Sequence, residues 1–128
     1  MPLVRISLRE GKSASFLAAI GESIHQTMVE TINVPADDRF QVFTEHSPEG
    51  LVYDRTYLGI ERTDDIVIVQ ITLNTGRSLD QKRALYRVLA DRLARDPGLR
   101  KEDVLVSLVE VPKENWSFGN GAMSYGPA

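Results

Sequence analysis

Displaced by 65 residues, the step from Ile6 to Ile71, this sequence lies over itself without a gap. Ile6-Ser7-Leu8 falls on Ile71-Thr72-Leu73, and Gly11-Lys12-Ser13 on Gly76-Arg77-Ser78. The same offset carries Ala19, Ile20, Ile24 and Met28 onto Ala84, Leu85, Leu89 and Leu93, then Asp38 onto Asp103, Phe40 onto Leu105 and Glu45 onto Glu110. A period this long, present twice, marks a duplicated supersecondary unit rather than a solenoid. The chain must therefore fold from two copies of one unit, about residues 2–46 and 66–111, joined by a loop and followed by a C-terminal segment. One domain over 1–128 is expected.

Each copy reads strand, helix, strand. Residues 3 to 9 alternate, Gly11 offers a bend, and Ser13 is placed to cap a helix. Phe16, Leu17, Ile20, Ile24, Thr27 and Met28 recur at helical spacing to about residue 32, and Pro35 is expected to end that helix. Phe40 to Glu45 forms the second strand. The second copy repeats this as a strand over Ile66 to Leu73, a helix capped by Ser78 to about Arg95, a stop at Asp96-Pro97-Gly98, and a strand over Val104 to Val109.

A crossover helix lets the two strands of a copy run parallel. The fold class is α/β (α+β): duplicated βαβ units forming a four-stranded mixed sheet with two helices on one face. The other face, expected to carry Val4, Phe43 and Val69, is left for association. Residues 47–65, with Pro48, two glycines and several Tyr and Leu anchors, read as a packed loop.

At 128 residues one core suffices, since a domain near this length buries roughly two thirds of its unfolded surface. No cysteine is present, which removes disulfides and thiolate metal sites and fits a reducing compartment. No run spans a bilayer and no apolar leader opens the chain, so a soluble, cytoplasmic protein is expected, with no membrane partner. The net charge of −3, with basic residues scattered among acidic ones, argues against a nucleic-acid partner. His25 and His46 make no metal spacing, and Gly11-Lys12-Ser13 lacks the first glycine of a phosphate loop, because Ile6 stands there. Neither cofactor nor metal is expected.

Pro2 stands directly ahead of the first strand. Removal of Met1 would make its secondary amine the N-terminus, a titratable base or acid held by a ring that fixes φ.

Pro2 before a strand, two βαβ copies and the absence of a cofactor motif together resemble the tautomerase superfamily. Asp37-Asp38-Arg39-Phe40-Gln41, Gly76-Arg77-Ser78 with Gln81-Lys82, and Asn115-Trp116-Ser117-Phe118-Gly119 resemble its malonate semialdehyde decarboxylase branch. The resemblance implies a homotrimer with a pocket around the proline. It also implies Pro2 and Asp38 as catalytic residues, Arg77 as a substrate-binding arginine, and Trp116 with Phe118 as an apolar wall. The branch carries an Arg-x-Arg pair where this chain has Thr75-Gly76-Arg77.

Chemically, burial against Trp116 and Phe118 and the charge of Arg77 favour a neutral amine, while Asp38 favours the cation. A neutral amine moves a proton between enol and keto forms; a protonated one polarises a carbonyl, as decarboxylation or hydration requires. Arg77 suits a carboxylate through its planar fork, or is a surface residue near the Ser78 helix start. Asp38 is a catalytic neighbour or, like Asp103, turn chemistry. Trp116 and Phe118 serve a wall, the core or a subunit contact. The favoured function is cofactor-independent enol–keto isomerisation of small carboxylate-bearing 2-oxo acids. The alternatives are a malonate semialdehyde decarboxylase or hydratase, and a non-catalytic ferredoxin-like binding module.

Overall fold

In the computed structural model, which describes residues 2–127, the alternation over Leu3–Arg9 becomes strand β1, with Val4, Ile6 and Leu8 buried. Removal of Met1 concerns a residue outside that range. Helix α1 spans Ala14–Ile32, and Ser13 caps it by accepting the Phe16 N–H at 3.1 Å. The helix ends at Asn33, not at Pro35: Asn33 adopts the left-handed conformation (φ 57°), which asparagine tolerates, and the Val34 N–H returns to the Met28 carbonyl.

Strand β2 (Gln41–His46) then lies parallel to β1. The second copy supplies β3 (Val67–Asn74), α2 (Leu79–Arg95) and β4 (Val104–Val111). A capping box opens α2: Ser78 accepts the Gln81 N–H while the Gln81 side chain accepts the Ser78 N–H. The sheet order is β2-β1-β3-β4, with the outer pairs parallel and β1 antiparallel to β3.

Both helices cover one face. Val4, Ile6 and Leu8 of β1 and Val67, Val69, Ile71 and Leu73 of β3 meet Ile20, Ile24 and Met28 of α1 and Leu85, Leu89 and Leu93 of α2. Val4 and Val69 are thus under the helices, and Phe43 packs against the same core, so none of the three lies on the open face. Strand period puts their neighbours there instead: Leu3, Val42, Ile68, Leu105 and Val109, interleaved with Arg5, Ser7, Thr44, Gln70 and Ser107. Within Ile66 to Leu73 the polar Gln70 and Thr72 share the open face with Ile68, while Val67, Val69, Ile71 and Leu73 form the apolar set under the helices.

The joining segment holds two short 3₁₀ turns, Pro48–Gly50 and Tyr57–Gly59. Leu51 is buried and the Tyr53 hydroxyl donates to the Thr63 carbonyl at 2.6 Å. Tyr57 and Leu58, by contrast, are largely exposed. Among the described residues no helix is long and apolar enough to cross a membrane.

Candidate active site

The mixed sheet brings the start of β1, the lead-in to β2 and the exits of β3 and β4 to one end. The Val4 N–H donates to the Phe40 carbonyl at 3.0 Å, and Val4 lies opposite Gln41. Pro2 thus precedes β1 at the end of the sheet where Asp38 and Arg39 lead into β2. Pairing of Leu3 with Thr72 likewise carries Pro2 toward Leu73, next to Asn74. Pro2 is buried. A residue without an N–H suits the position just before a strand, where the ladder asks nothing of it.

Asp38 closes the turn that follows α1, its N–H donating to the Pro35 carbonyl at 3.0 Å. It is 4 % exposed. Burial pushes its carboxyl above the ordinary aspartate value, with Asp37 adding and His25 opposing. Asp38 borders a recess of about 380 Å³, together with Pro35, Asp37, Phe40, Phe118, Ser124 and Tyr125. Phe118 is the centre of its aromatic wall. Trp116 stacks on it at 5.2 Å, Phe40 approaches at 5.5 Å, and Tyr125 meets it edge-on at 5.6 Å.

The C-terminal segment reaches this end by folding back on itself. The Phe118 N–H donates to the Ser124 hydroxyl at 2.9 Å, and the Ser124 N–H to the Trp116 carbonyl at 3.1 Å. Gly119 (φ 142°) and Gly121 (φ 67°) supply conformations that side chains rarely adopt, so the glycine-rich tail is what lets the loop close. Burial and the charge of Asp38 both push the Tyr125 phenol up, which keeps it a protonated donor at neutral pH.

Arg77 occupies an adjoining recess of about 390 Å³, with Asn33, Asn74, Gln81 and Lys113 among its lining. Its guanidinium donates to the carbonyls of Asn74 (3.0 Å) and Ile32 (3.4 Å), which ties the loop after β3 to the last turn of α1. Asn74 connects the two recesses, because its Oδ1 accepts the Trp116 Nε1–H at 2.7 Å. The structure therefore brings Asp38 and Phe118 to one recess, sets Trp116 behind Phe118, holds Arg77 in a second recess, and leaves Pro2 buried at the head of β1. Sequence reasoning missed Tyr125, Asn74 and Lys113. A tyrosine in a Gly-rich tail carries no periodic signal, and only the fold shows where that tail goes.

A groove between the helices is lined by Glu22, Ser23, Gln26, Arg92, Arg95 and Asp96. Its arginine Arg92 is paired with Glu30 at 2.9 Å. No group of three or more His, Asp or Glu side chains among the described residues is arranged to hold a metal ion.

A family profile described as tautomerase enzyme matches residues 38–119, and a second profile of the same description matches residues 2–59. The chain belongs to the tautomerase family. It is 46% identical over 121 residues to the probable tautomerase YusQ of Bacillus subtilis (strain 168), covering 94% of this chain and 95% of that one. The probable tautomerase YrdN of the same organism is 36% identical over 125 residues, covering 98% and 96%. Among solved structures, a malonate semialdehyde decarboxylase studied for its decarboxylase and hydratase activities superposes with a TM-score of 0.89 at 34% identity, covering 94% of this chain and 93% of that one.

In this member of the family the equivalent end of the second copy is closed. Val67 stands where Pro2 stands, as an ordinary amide within the chain, and Asp103 stands where Asp38 does. Asp103 is fully buried and bonded to Thr63.

Proposed function

We propose that the protein isomerises small carboxylate-bearing enols to 2-oxo acids without a cofactor, using the secondary amine of Pro2 once Met1 is removed. The observation that carries this reading is a buried proline at the head of β1, on the end of the sheet where a buried Asp38 borders a recess walled by aromatic rings. An α-amino group titrates near ~7.7 to 8.0 in model peptides, so a modest shift keeps Pro2 available in either form at neutral pH. The neutral amine takes the enol hydroxyl proton as the carbonyl forms, and the resulting prolinium returns it to the adjacent carbon. Asp38 favours the prolinium, and the dry wall of Phe118 and Phe40 favours the amine; a pKa between these pulls suits a group that must both accept and donate. Tyr125 can donate to the developing carbonyl oxygen, and Arg77 can take the substrate carboxylate. A homotrimer, packed through the open sheet face, would cover Leu3, Val42, Ile68, Leu105 and Val109.

The test is ketonisation of phenylenolpyruvate followed by ultraviolet absorbance, for Met1-free protein, a Pro2→Ala variant and a form retaining Met1. Turnover in the first alone supports the amine as catalyst; equal rates in all three overturn it.

A second reading is decarboxylation or hydration of a 3-oxo acid, favoured by the 34% identity to a malonate semialdehyde decarboxylase. Against it, the loop after β3 offers Thr75-Gly76-Arg77 and so a single arginine. Carbon dioxide release from malonate semialdehyde that exceeds enol turnover would move this reading ahead.

A further inference from the structure

His25 lies on α1, behind the turn that carries Asp38, and is 3 % exposed. Its Nε2 is 2.8 Å from the Ala36 carbonyl oxygen. A carbonyl only accepts, so Nε2 carries a proton and donates it. Ala36 sits inside the turn that the Asp38 N–H closes onto the Pro35 carbonyl at 3.0 Å. One buried side chain thus fixes the peptide two residues before Asp38.

Helix α1 grips the flanking chain elsewhere as well. Met28 accepts the Val34 N–H, Glu22 pairs with Arg39 at 2.7 Å, and the Gly21 carbonyl accepts the Gln41 side chain at 2.8 Å. These ties hold the ends of the segment, and the exposed Arg39–Glu22 pair is worth little. The His25 bond reaches into the turn itself, at the Ala36 carbonyl.

Packing alone does not ask for a histidine here. The position is on the buried side of α1 with Ile24 and Met28, where an apolar side chain of similar size would fill the space at no polar cost. Nδ1 of His25 is itself buried with no hydrogen-bond partner among the described residues, a cost that the single bond to Ala36 offsets.

We propose that His25 is a positioning residue for Asp38: its Nε2–H holds the Pro35–Asp38 turn so that the carboxylate stays at the Pro2 amine. The inference rests on the reading of Pro2 as the proton carrier. The charged and titratable groups about the turn are Asp37 and Asp38 on it, Glu22 of α1, Arg39 at the entry to β2, Tyr125 of the C-terminal segment and the Pro2 amine. A glutamine at position 25 removes any ring charge but can keep an N–H at the reach of Nε2. It therefore separates the bond from the charge.

The experiment titrates the Pro2 amine by ¹⁵N NMR in Met1-free protein, alongside kcat and KM for phenylenolpyruvate, in wild type, His25→Leu and His25→Gln. His25→Leu is expected to move the amine titration to lower pH, because the carboxylate that favours the prolinium has shifted. It is also expected to lower kcat by roughly tenfold to a hundredfold, the scale of a 1 Å misplacement, while KM changes little. His25→Gln is expected to restore both. If His25→Leu does not fold, His25→Asn, polar but too short to reach Ala36, replaces it. An amine titration unchanged in the folded variant, with only Tm lowered, overturns the inference, as does a Gln variant that matches the Leu variant. A shifted titration in a protein whose wild type turns over no enol supports the positioning role and instead removes the tautomerase reading.

Discussion

Asp103 holds both carboxylate oxygens on Thr63, 2.7 Å from its backbone nitrogen and 2.6 Å from its hydroxyl, whereas Asp38, its counterpart one repeat earlier, borders the aromatic recess. Two copies of one unit thus end in opposite uses of the same acid. In the second copy, the loop joining the repeats supplies Thr63 and shuts the end of the sheet. In the first, the C-terminal segment arches over and leaves a cavity.

Asp103→Ala should accordingly be a stability variant. It removes two acceptors from a fully buried residue and leaves the Thr63 N–H and the Thr63 hydroxyl proton without acceptors, at about 3 kcal/mol in total for charge-assisted bonds of this kind. Chemical denaturation is expected to show that loss with an unaltered kcat, measured where the variant is still folded. A kcat that fell with it would place chemistry at the second end.

Asp38→Asn should behave in the opposite way. Burial raises the folded pKa of Asp38, so its protonated form is the one folding favours. That contribution is whole below the unfolded value of 3.8 and is lost as pH rises through the folded value. At neutral pH the buried carboxylate therefore weighs against folding. The neutral, isosteric asparagine is expected to raise Tm at pH 7, to lose that advantage as pH falls to about 3.5, and to lower kcat. A variant less stable than wild type at pH 7 would contradict the sign.

The duplication made the fold legible. Paired landmarks such as Ser13 with Ser78, and Ile20 with Leu85, fixed strand, helix and strand twice over, so the mixed sheet followed. The faces of the strand within Ile66 to Leu73 were marked as well, by Gln70 and Thr72 on one side against Val67, Val69, Ile71 and Leu73 on the other; the expectation that put Val69 on the open face passed over that marking. Pro2 and Asp38 could be placed in the fold from the sequence because each leads into a strand. The site was not legible in the tail, because Tyr125 arrives through two glycines at positive φ, and such a path has no sequence period.

The bond from the Trp116 indole to Asn74 carries another prediction. Asn74→Ala leaves a half-buried N–H without its partner, at about 1 kcal/mol, and frees the segment that presents Phe118 and Tyr125. KM for phenylenolpyruvate is expected to rise severalfold, with a red shift of the fluorescence of the single tryptophan. An unmoved spectrum would mean that the stack on Phe118 alone fixes the ring.

Arg77 allows charge and architecture to be told apart. Its two bonds to the Asn74 and Ile32 carbonyls are structural, and its charge is what a substrate carboxylate would feel. Lysine keeps the charge but cannot make the planar two-point tie; alanine removes both. If Arg77 binds the carboxylate, Arg77→Ala should lower kcat/KM for phenylenolpyruvate by roughly 10- to 100-fold, the worth of a charge-assisted hydrogen bond, and leave the rate on its neutral methyl ester nearly unchanged. Arg77→Lys should recover part of the loss on the acid. Equal losses on acid and ester, in both variants, would instead make Arg77 a brace for the loop after β3 and leave Lys113, across the same recess, as the cation that meets the substrate.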